Sequence, residues 1–266
     1  DQIIEQAIQE DRIPGAVLLV GHRGQVVYRK AYGRRSLETD EPMTADTIFD
    51  AASLTKVVAT TPSIMKLFEE GKIRLNDPVT RYLPAFQDGK SDITVRHLLT
   101  HFSGLRPDLD LEPAWSGYET GIQKALIDQP AGPPGVRFVY SDINFILLGE
   151  MVRQLSGQTL PDYAREKIFE PLSMRETMFR PSESLRGRIA PTERLAGASE
   201  SLRGVVHDET TRFMGGIAGH AGLFTTADDL AKFAEMMINL GERDGVRILN
   251  SATVQKFTTP QSPADQ

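Results

Sequence analysis

The chain has 266 residues, 40% hydrophobic and 25% charged, with a formal net charge of -6 and no cysteine. That length suits one large domain or two intertwined lobes, and the composition is that of an ordinary globular protein. The acidic balance, without a basic stripe, argues against nucleic acid as a partner, and the absent cysteine removes disulfides, thiolate metal sites and cysteine nucleophiles.

No apolar run approaches the roughly 18 residues needed to span a bilayer. The chain starts at Asp1 without a methionine and shows no signal-peptide pattern, so it reads as a processed or trimmed product. Ile3 to Ile8 predicts a short amphipathic helix, closed by Pro14-Gly15. Ala16–Val20 and Gln25–Lys30, parted by Gly21-His22-Arg23-Gly24, predict an antiparallel hairpin. Its first run is apolar throughout, as expected of a strand covered on both faces.

From Ser53 to about Glu70 the pattern is helical, ended by Gly71 and with a kink expected at Pro62. Asp77-Pro78 predicts a short helix to Leu83, and Thr94 caps another from Val95 to Thr100. Arg106 to Gly121 reads as loop. Ser141-Asp142 caps a strong helix from Ile143 to Gln154, and Thr159-Leu160-Pro161-Asp162 opens the next, through Phe169. Arg180 to Gly222 has no sustained period and reads as long irregular surface. Thr226 opens an amphipathic helix to Leu240, stopped by Gly241, and a short helix from Ser251 to Phe257 precedes the tail Pro260-Gln261-Ser262-Pro263.

The chemistry centres on Ser53-Leu54-Thr55-Lys56, a Ser-x-x-Lys where a helix begins. A serine hydroxyl needs a base before it attacks a carbonyl, and a lysine three residues on shares its helix face. First-turn N–H groups favour negative charge developing there. Two plainer readings compete: a serine N-cap with a snorkelling lysine, and the duplicate Ser63-Ile64-Met65-Lys66, which sits inside the helix with no free N–H groups. A second candidate is Tyr140-Ser141-Asp142, with Asn144 just beyond. A tyrosine on an extended run before a helix can project its hydroxyl into a cleft as base or relay, or serve as a core residue before an ordinary cap. His97 and His101 raise a metal pair, as does His207-Asp208-Glu209, but without a well-spaced third acidic ligand hydrogen bonding beneath a loop is preferred. No metal or cofactor is expected. The glycines at 215, 216, 219 and 222 fit no dinucleotide fingerprint and read as loop conformation or close backbone approach.

Taken together, these motifs resemble the serine β-lactamase-related family, in the group holding class C β-lactamases, DD-peptidases and related esterases. The resemblance runs through Phe49–Lys56, Gly71–Val79, Ile93–His101, Tyr140-Ser141-Asp142 and Gly219–Thr226. It implies an α+β, β-lactamase/transpeptidase-like fold: an antiparallel sheet flanked by helices, plus a mainly helical lobe. Residues 1–266 then form one domain, with 1–50 and 226–266 in the α/β lobe and 51–225 in the helical lobe. It also implies Ser53 as acyl-accepting nucleophile, Lys56 as its proton partner and Tyr140 as the base that protonates the leaving group. Asp142 and Asn144 stand on the substrate side, and the Ser53 N–H and a later-strand N–H hold the oxyanion.

Two departures stand out. Asp142 replaces the asparagine that often ends the second motif, and His220-Ala221-Gly222 matches the third by letters only, reading as a loop near the helical lobe. The true third motif and several sheet strands are expected beyond Gln266, which makes the domain C-terminally incomplete. The implied activity is a serine hydrolase acting through an acyl-enzyme on an ester, amide or β-lactam carbonyl of a small-molecule or peptidoglycan-like substrate. The alternative is a non-catalytic penicillin-binding-like module for peptidoglycan or peptide recognition. The resemblance places the protein in the periplasm or outside the cell.

Overall fold

The computed structural model describes residues 1–261; Ser262 and Pro263 of the expected tail lie outside the described residues. Helix α1 (Gln2–Gln9) leads into the hairpin of β1 (Gly15–His22) and β2 (Gln25–Ser36). Arg23 and Gly24 make the turn with φ of 52° and 76°, the paired left-handed geometry that matches strand twist. Strand β2 runs on to pair with β3 (Glu41–Pro42), giving sheet order β1-β2-β3. The expectation that β1 is covered on both faces does not hold: Val17 to Leu19 are half-buried and Val20 is exposed. With no third strand beside β1 among the described residues, its apolar run packs mainly against β2, α1 and the helix Ala227–Ile238.

A second, very small sheet positions the site. Strands β4 (Phe49–Asp50) and β6 (Leu223–Thr225) pair antiparallel, Phe49 with Thr225 and Asp50 with Phe224, while β5 (Met178–Phe179) flanks β6. This pairing pins together the two ends of the 51–225 stretch. The expected Ser53–Glu70 helix is divided, with a π-helical stretch over Lys56–Thr60 before α2 (Thr61–Glu69). Pro62 therefore sits in the first turn of α2, where its missing N–H costs nothing, and the irregularity lies upstream of it.

Asp77-Pro78 opens only a 3₁₀ turn, Val79–Arg81; the Asp77 carboxylate accepts from the Tyr82 hydroxyl at 2.7 Å and does not cap. Helix α3 (Val95–Leu99) is capped by Thr94, with the His97 side chain closing the box. The expected loop ends early, because α4 (Tyr118–Ile127) starts at Gly117, whose φ of 99° turns the chain into the helix. Helix α5 (Asp142–Ser156) is the central element of the main apolar core, buried from Ile143 through Val152. It ends at left-handed Gly157, and α6 (Leu160–Ala164) follows its Thr159 cap.

The 180–222 region is not simply surface. Short helix α7 (Glu209–Phe213) lies within it, and Ile189, Val206 and Ala221 join Ile48 and Phe224 in a buried cluster. Helix α8 (Ala227–Ile238), the hairpin β7 (Glu242–Arg243) and β8 (Val246–Arg247), and α9 (Ser251–Thr258) complete the described chain. Phe233, Met236, Ile248 and Val254 from this part pack with Val58, Met65 and Ile168.

Gly219 shows how closely the site is assembled. A Cβ there would come within 1.9 Å of the Phe145 carbonyl oxygen on α5 and 3.0 Å of the Gly149 nitrogen. Both obstacles are helix backbone and cannot swing aside. Gly219→Ala is expected to destabilise the protein by about 2–3 kcal/mol, read from the urea unfolding midpoint.

Candidate active site

Ser53 is presented by a strained turn. Asp50 Oδ1 accepts from Ala52 N at 2.8 Å and its other oxygen accepts from His207 N at 2.7 Å. Ala51 N donates to Leu223 O at 2.8 Å, tying the turn to β6. Ala52 is thereby held at φ 45°, a left-handed conformation that costs a β-carbon-bearing residue of order 1–2 kcal/mol. The following Ser53 N–H meets no acceptor among the described residues, so it is free for a developing oxyanion.

Lys56 is almost fully buried, at 3% exposure. Its ammonium donates to Ser53 Oγ at 3.0 Å and to His220 O at 3.2 Å, and forms an ion pair with Asp142 Oδ1 at 2.6 Å. The faces of Tyr140 and Phe145 lie 4.8 and 5.8 Å from it, adding cation–π attraction in a desolvated place. Tyr140 is about half exposed, and its ring stacks on His101 with centroids 4.4 Å apart. It is the Tyr140 ring, not the hydroxyl, that faces the ammonium.

Ser53, Lys56, Tyr140 and Asp142 thus come together around one cation. Asn144 lies beneath them, fully buried, with its side-chain oxygen accepting from Ser103 Oγ at 2.6 Å and its nitrogen 3.3 Å from His101 Nδ1. It reaches the cleft only through the residues it supports. The Ser141 hydroxyl does not cap α5 but donates to Arg106 O at 2.5 Å. Ser63, of the duplicate motif, is buried and donates to Ala59 O at 2.7 Å along its own helix.

His101 sits behind this wall. Its Nδ1 accepts from Ser141 N at 3.0 Å, which requires the neutral ring. Burial first, then the nearby Lys56 charge, pushes it down to about 4. His97 and His101 share no ligand face, since His101 has left the helix at φ 61° and His97 turns back to Thr94.

The 219–223 segment, read in the sequence as a loop near the helical lobe with close backbone approach at its glycines, forms part of the site. Thr60 Oγ1 donates to Gly219 O at 2.6 Å and Leu223 N donates to Thr55 Oγ1 at 3.1 Å, so both flanks of His220 are tied to the Lys56 helix. The His220 ring is buried, with Nε2 at 2.8 Å from Asp208 Oδ1 and 3.0 Å from Thr211 Oγ1. Burial works to raise the Asp208 carboxyl, but the His220 hydrogen bond and charge and the Thr211 donors outweigh it, holding the group well below the usual range. Asp108, more simply buried, is pushed up. Asp142, Asp208 and His220 offer ligand atoms within 4.8 Å of one another. Lys56 pairs with the first at 2.6 Å, and the His220–Asp208 hydrogen bond joins the other two.

The Beta-lactamase family profile matches residues 1–265. The N-acetylmuramyl-L-alanine amidase of Bacillus subtilis (strain 168) is 32% identical, the match covering 98% of this chain and 67% of that protein. An Escherichia coli (strain K12) protein provisionally named D-alanyl-D-alanine carboxypeptidase is 33% identical, over 92% of this chain and 65% of its own length. Among solved structures, the octameric penicillin-binding protein homologue from Pyrococcus abyssi superposes with a TM-score of 0.80 at 30% identity, covering 97% of this chain and 59% of that one. The chain therefore spans about two thirds or less of the length of these relatives.

Two stability outcomes follow from the geometry. Lys56→Met leaves Asp142 without its cation and is expected to cost about 3 kcal/mol, part of which Lys56→Met combined with Asp142→Asn recovers in urea unfolding. His101 is neutral when folded and titrates near 6.5 when unfolded, so the unfolded chain binds the extra proton first. Its contribution, roughly 3 kcal/mol, is fully present above about pH 6.5 and is lost as pH falls towards about 4. His101→Gln should flatten that part of the stability–pH profile.

Proposed function

The chain belongs to the Beta-lactamase family, and from that premise we propose that it is a serine hydrolase acting through an acyl-enzyme. One observation carries the reading: Lys56 Nζ stands 3.0 Å from Ser53 Oγ, beside a Ser53 N–H without an acceptor. Ser53 Oγ attacks a carbonyl carbon as its proton departs through Lys56, while the free N–H stabilises the negative charge on the carbonyl oxygen. Lys56 can receive that proton as it passes one of its own to Asp142, 2.6 Å away. Tyr140, on the exposed side, then returns a proton to the leaving group and activates water for deacylation. Asp142, one-fifth exposed, is the substrate-side member of its motif, and Asn144 lies behind it against His101 and Ser103.

The substrate class we infer is an amide or peptide carbonyl of peptidoglycan type, with esters and β-lactams as chemically equivalent acyl donors. The names of the B. subtilis and E. coli relatives support it. A cell-wall substrate places the enzyme in the periplasm or outside the cell; no helix among the described residues is long and apolar enough to cross a membrane. We keep the division into an α/β lobe of 1–50 and 226–266 and a helical lobe of 51–225, with the cleft between them. The observation favouring a non-catalytic binding module is the same lysine: its close ion pair with Asp142, at 2.6 Å, competes with Ser53 for the amine.

Labelling with a fluorophosphonate decides between the two. One adduct at Ser53 by intact mass and peptide mapping is expected, absent from Ser53→Ala and formed at least about 100-fold more slowly by Lys56→Ala. No adduct, or an adduct at Ser63, would sink the hydrolase reading.

A further inference from the structure

Away from Ser53 and Lys56, a cavity of about 440 Å³ is lined by Arg180, Pro181, Val205, Val206, Arg212 and Phe224. None of Ser53, Lys56, Tyr140 or Asp142 lines it. Its back wall is nevertheless near the site, because Phe224 pairs with Asp50 across β4 and β6.

Two of its lining residues are arginines. Among the described residues, neither forms an ion pair; both are held by main-chain carbonyls instead. Arg180 Nε donates to Gly215 O at 2.6 Å, with Nη2 on the same oxygen. Arg212 Nη1 donates to Val206 O at 3.2 Å and also to His207 O. A guanidinium carries five N–H donors. Arg180 thus keeps Nη1 uncommitted, and Arg212 keeps Nε and Nη2.

The loop is shaped to carry Arg180. A Cβ on Gly215 would lie 3.1 Å from Arg180 Nη2, and one on Gly216 would lie 3.4 Å from its Cγ. Both glycines have left-handed φ, 87° and 89°, so the arginine lies flat on a turn that other residues adopt only with strain. This gives a structural reason for two glycines that the acyl-transfer chemistry does not use.

Two cations without counter-ions in one concave space raise the local potential and select an anion. Guanidinium forks match a carboxylate in two-point geometry. The remaining walls, from Pro181, Val205, Val206 and Phe224, are apolar and suit a hydrocarbon body. The geometry points to a second binding site, separate from the catalytic cleft, for a small organic carboxylate with an apolar body held between Arg180 and Arg212.

Phenylacetate and its neutral isostere phenylacetamide provide the test, by isothermal titration calorimetry on the chain at low salt. The expected result is saturable one-to-one binding of the acid and none of the amide. Arg180→Gln and Arg212→Gln should each weaken the acid about tenfold, the loss of a hydrogen bond between charged groups. Ser53→Ala should leave binding unchanged, which separates this inference from the acyl-serine reading. Arg212→Gln removes a brace on two carbonyls, so its fold is checked by circular dichroism. The acid–amide comparison on the unaltered chain stands regardless. No saturation by 10 mM acid (roughly the weakest useful affinity), equal binding of the amide, or loss in Ser53→Ala with retention in Arg180→Gln would each overturn the proposal. Tighter binding of inorganic phosphate than of phenylacetate would overturn the assignment to an organic carboxylate.

Discussion

The arrangement depends on a buried ammonium. Removing Lys56 from water would cost several kcal/mol if its donors went unmet, and three segments far apart in sequence converge to meet them. Ser53 comes from the preceding turn, Asp142 from the start of α5, and the His220 carbonyl from the segment before β6. Aromatic faces from Tyr140 and Phe145 close over the same group. Any acyl transfer would draw its nucleophile, its proton path and its cleft wall from this one cluster.

Strain accumulates around that cation. Ala52 is held left-handed by Asp50 and β6, and the helix carrying Lys56 begins as a π-turn. The extra residue of the π-turn changes which side chains share a face. Such local costs persist only where surroundings over-determine the backbone. The hydrogen bond from Thr60 to Gly219 O, the one Thr55 accepts from Leu223 N, and the segment's backbone contact with α5 at Gly149 supply that over-determination.

Much of the fold was legible because local patterns and caps are short-range. The boundaries at Thr94, Thr159 and Thr226 follow from side chains that bond backbone two or three residues on. Helix α4 was missed because its N-cap is Gly117 after a proline- and aspartate-rich run, a residue with no side chain to make a capping hydrogen bond. The 180–222 stretch was misjudged for a related reason. Its buried residues, Ile189, Val206 and Ala221, are isolated in sequence and share a core only through Ile48 and Phe224. The coverage of β1 was overestimated because an apolar run shows that neighbours are wanted, not that they are present.

The amino-acid order by itself determined the nucleophile motif, the Tyr140-Ser141-Asp142 motif and the family, since each is a run of adjacent residues whose spacing is set by the backbone. Only the tertiary structure decided that Lys56 pairs with Asp142, that Tyr140 presents its ring to the cation, and that the His220 carbonyl completes the shell. Those contacts link positions 84 to 164 residues apart. No local propensity encodes such distances. They exist because a desolvated charge has to be satisfied by whatever the fold brings beside it.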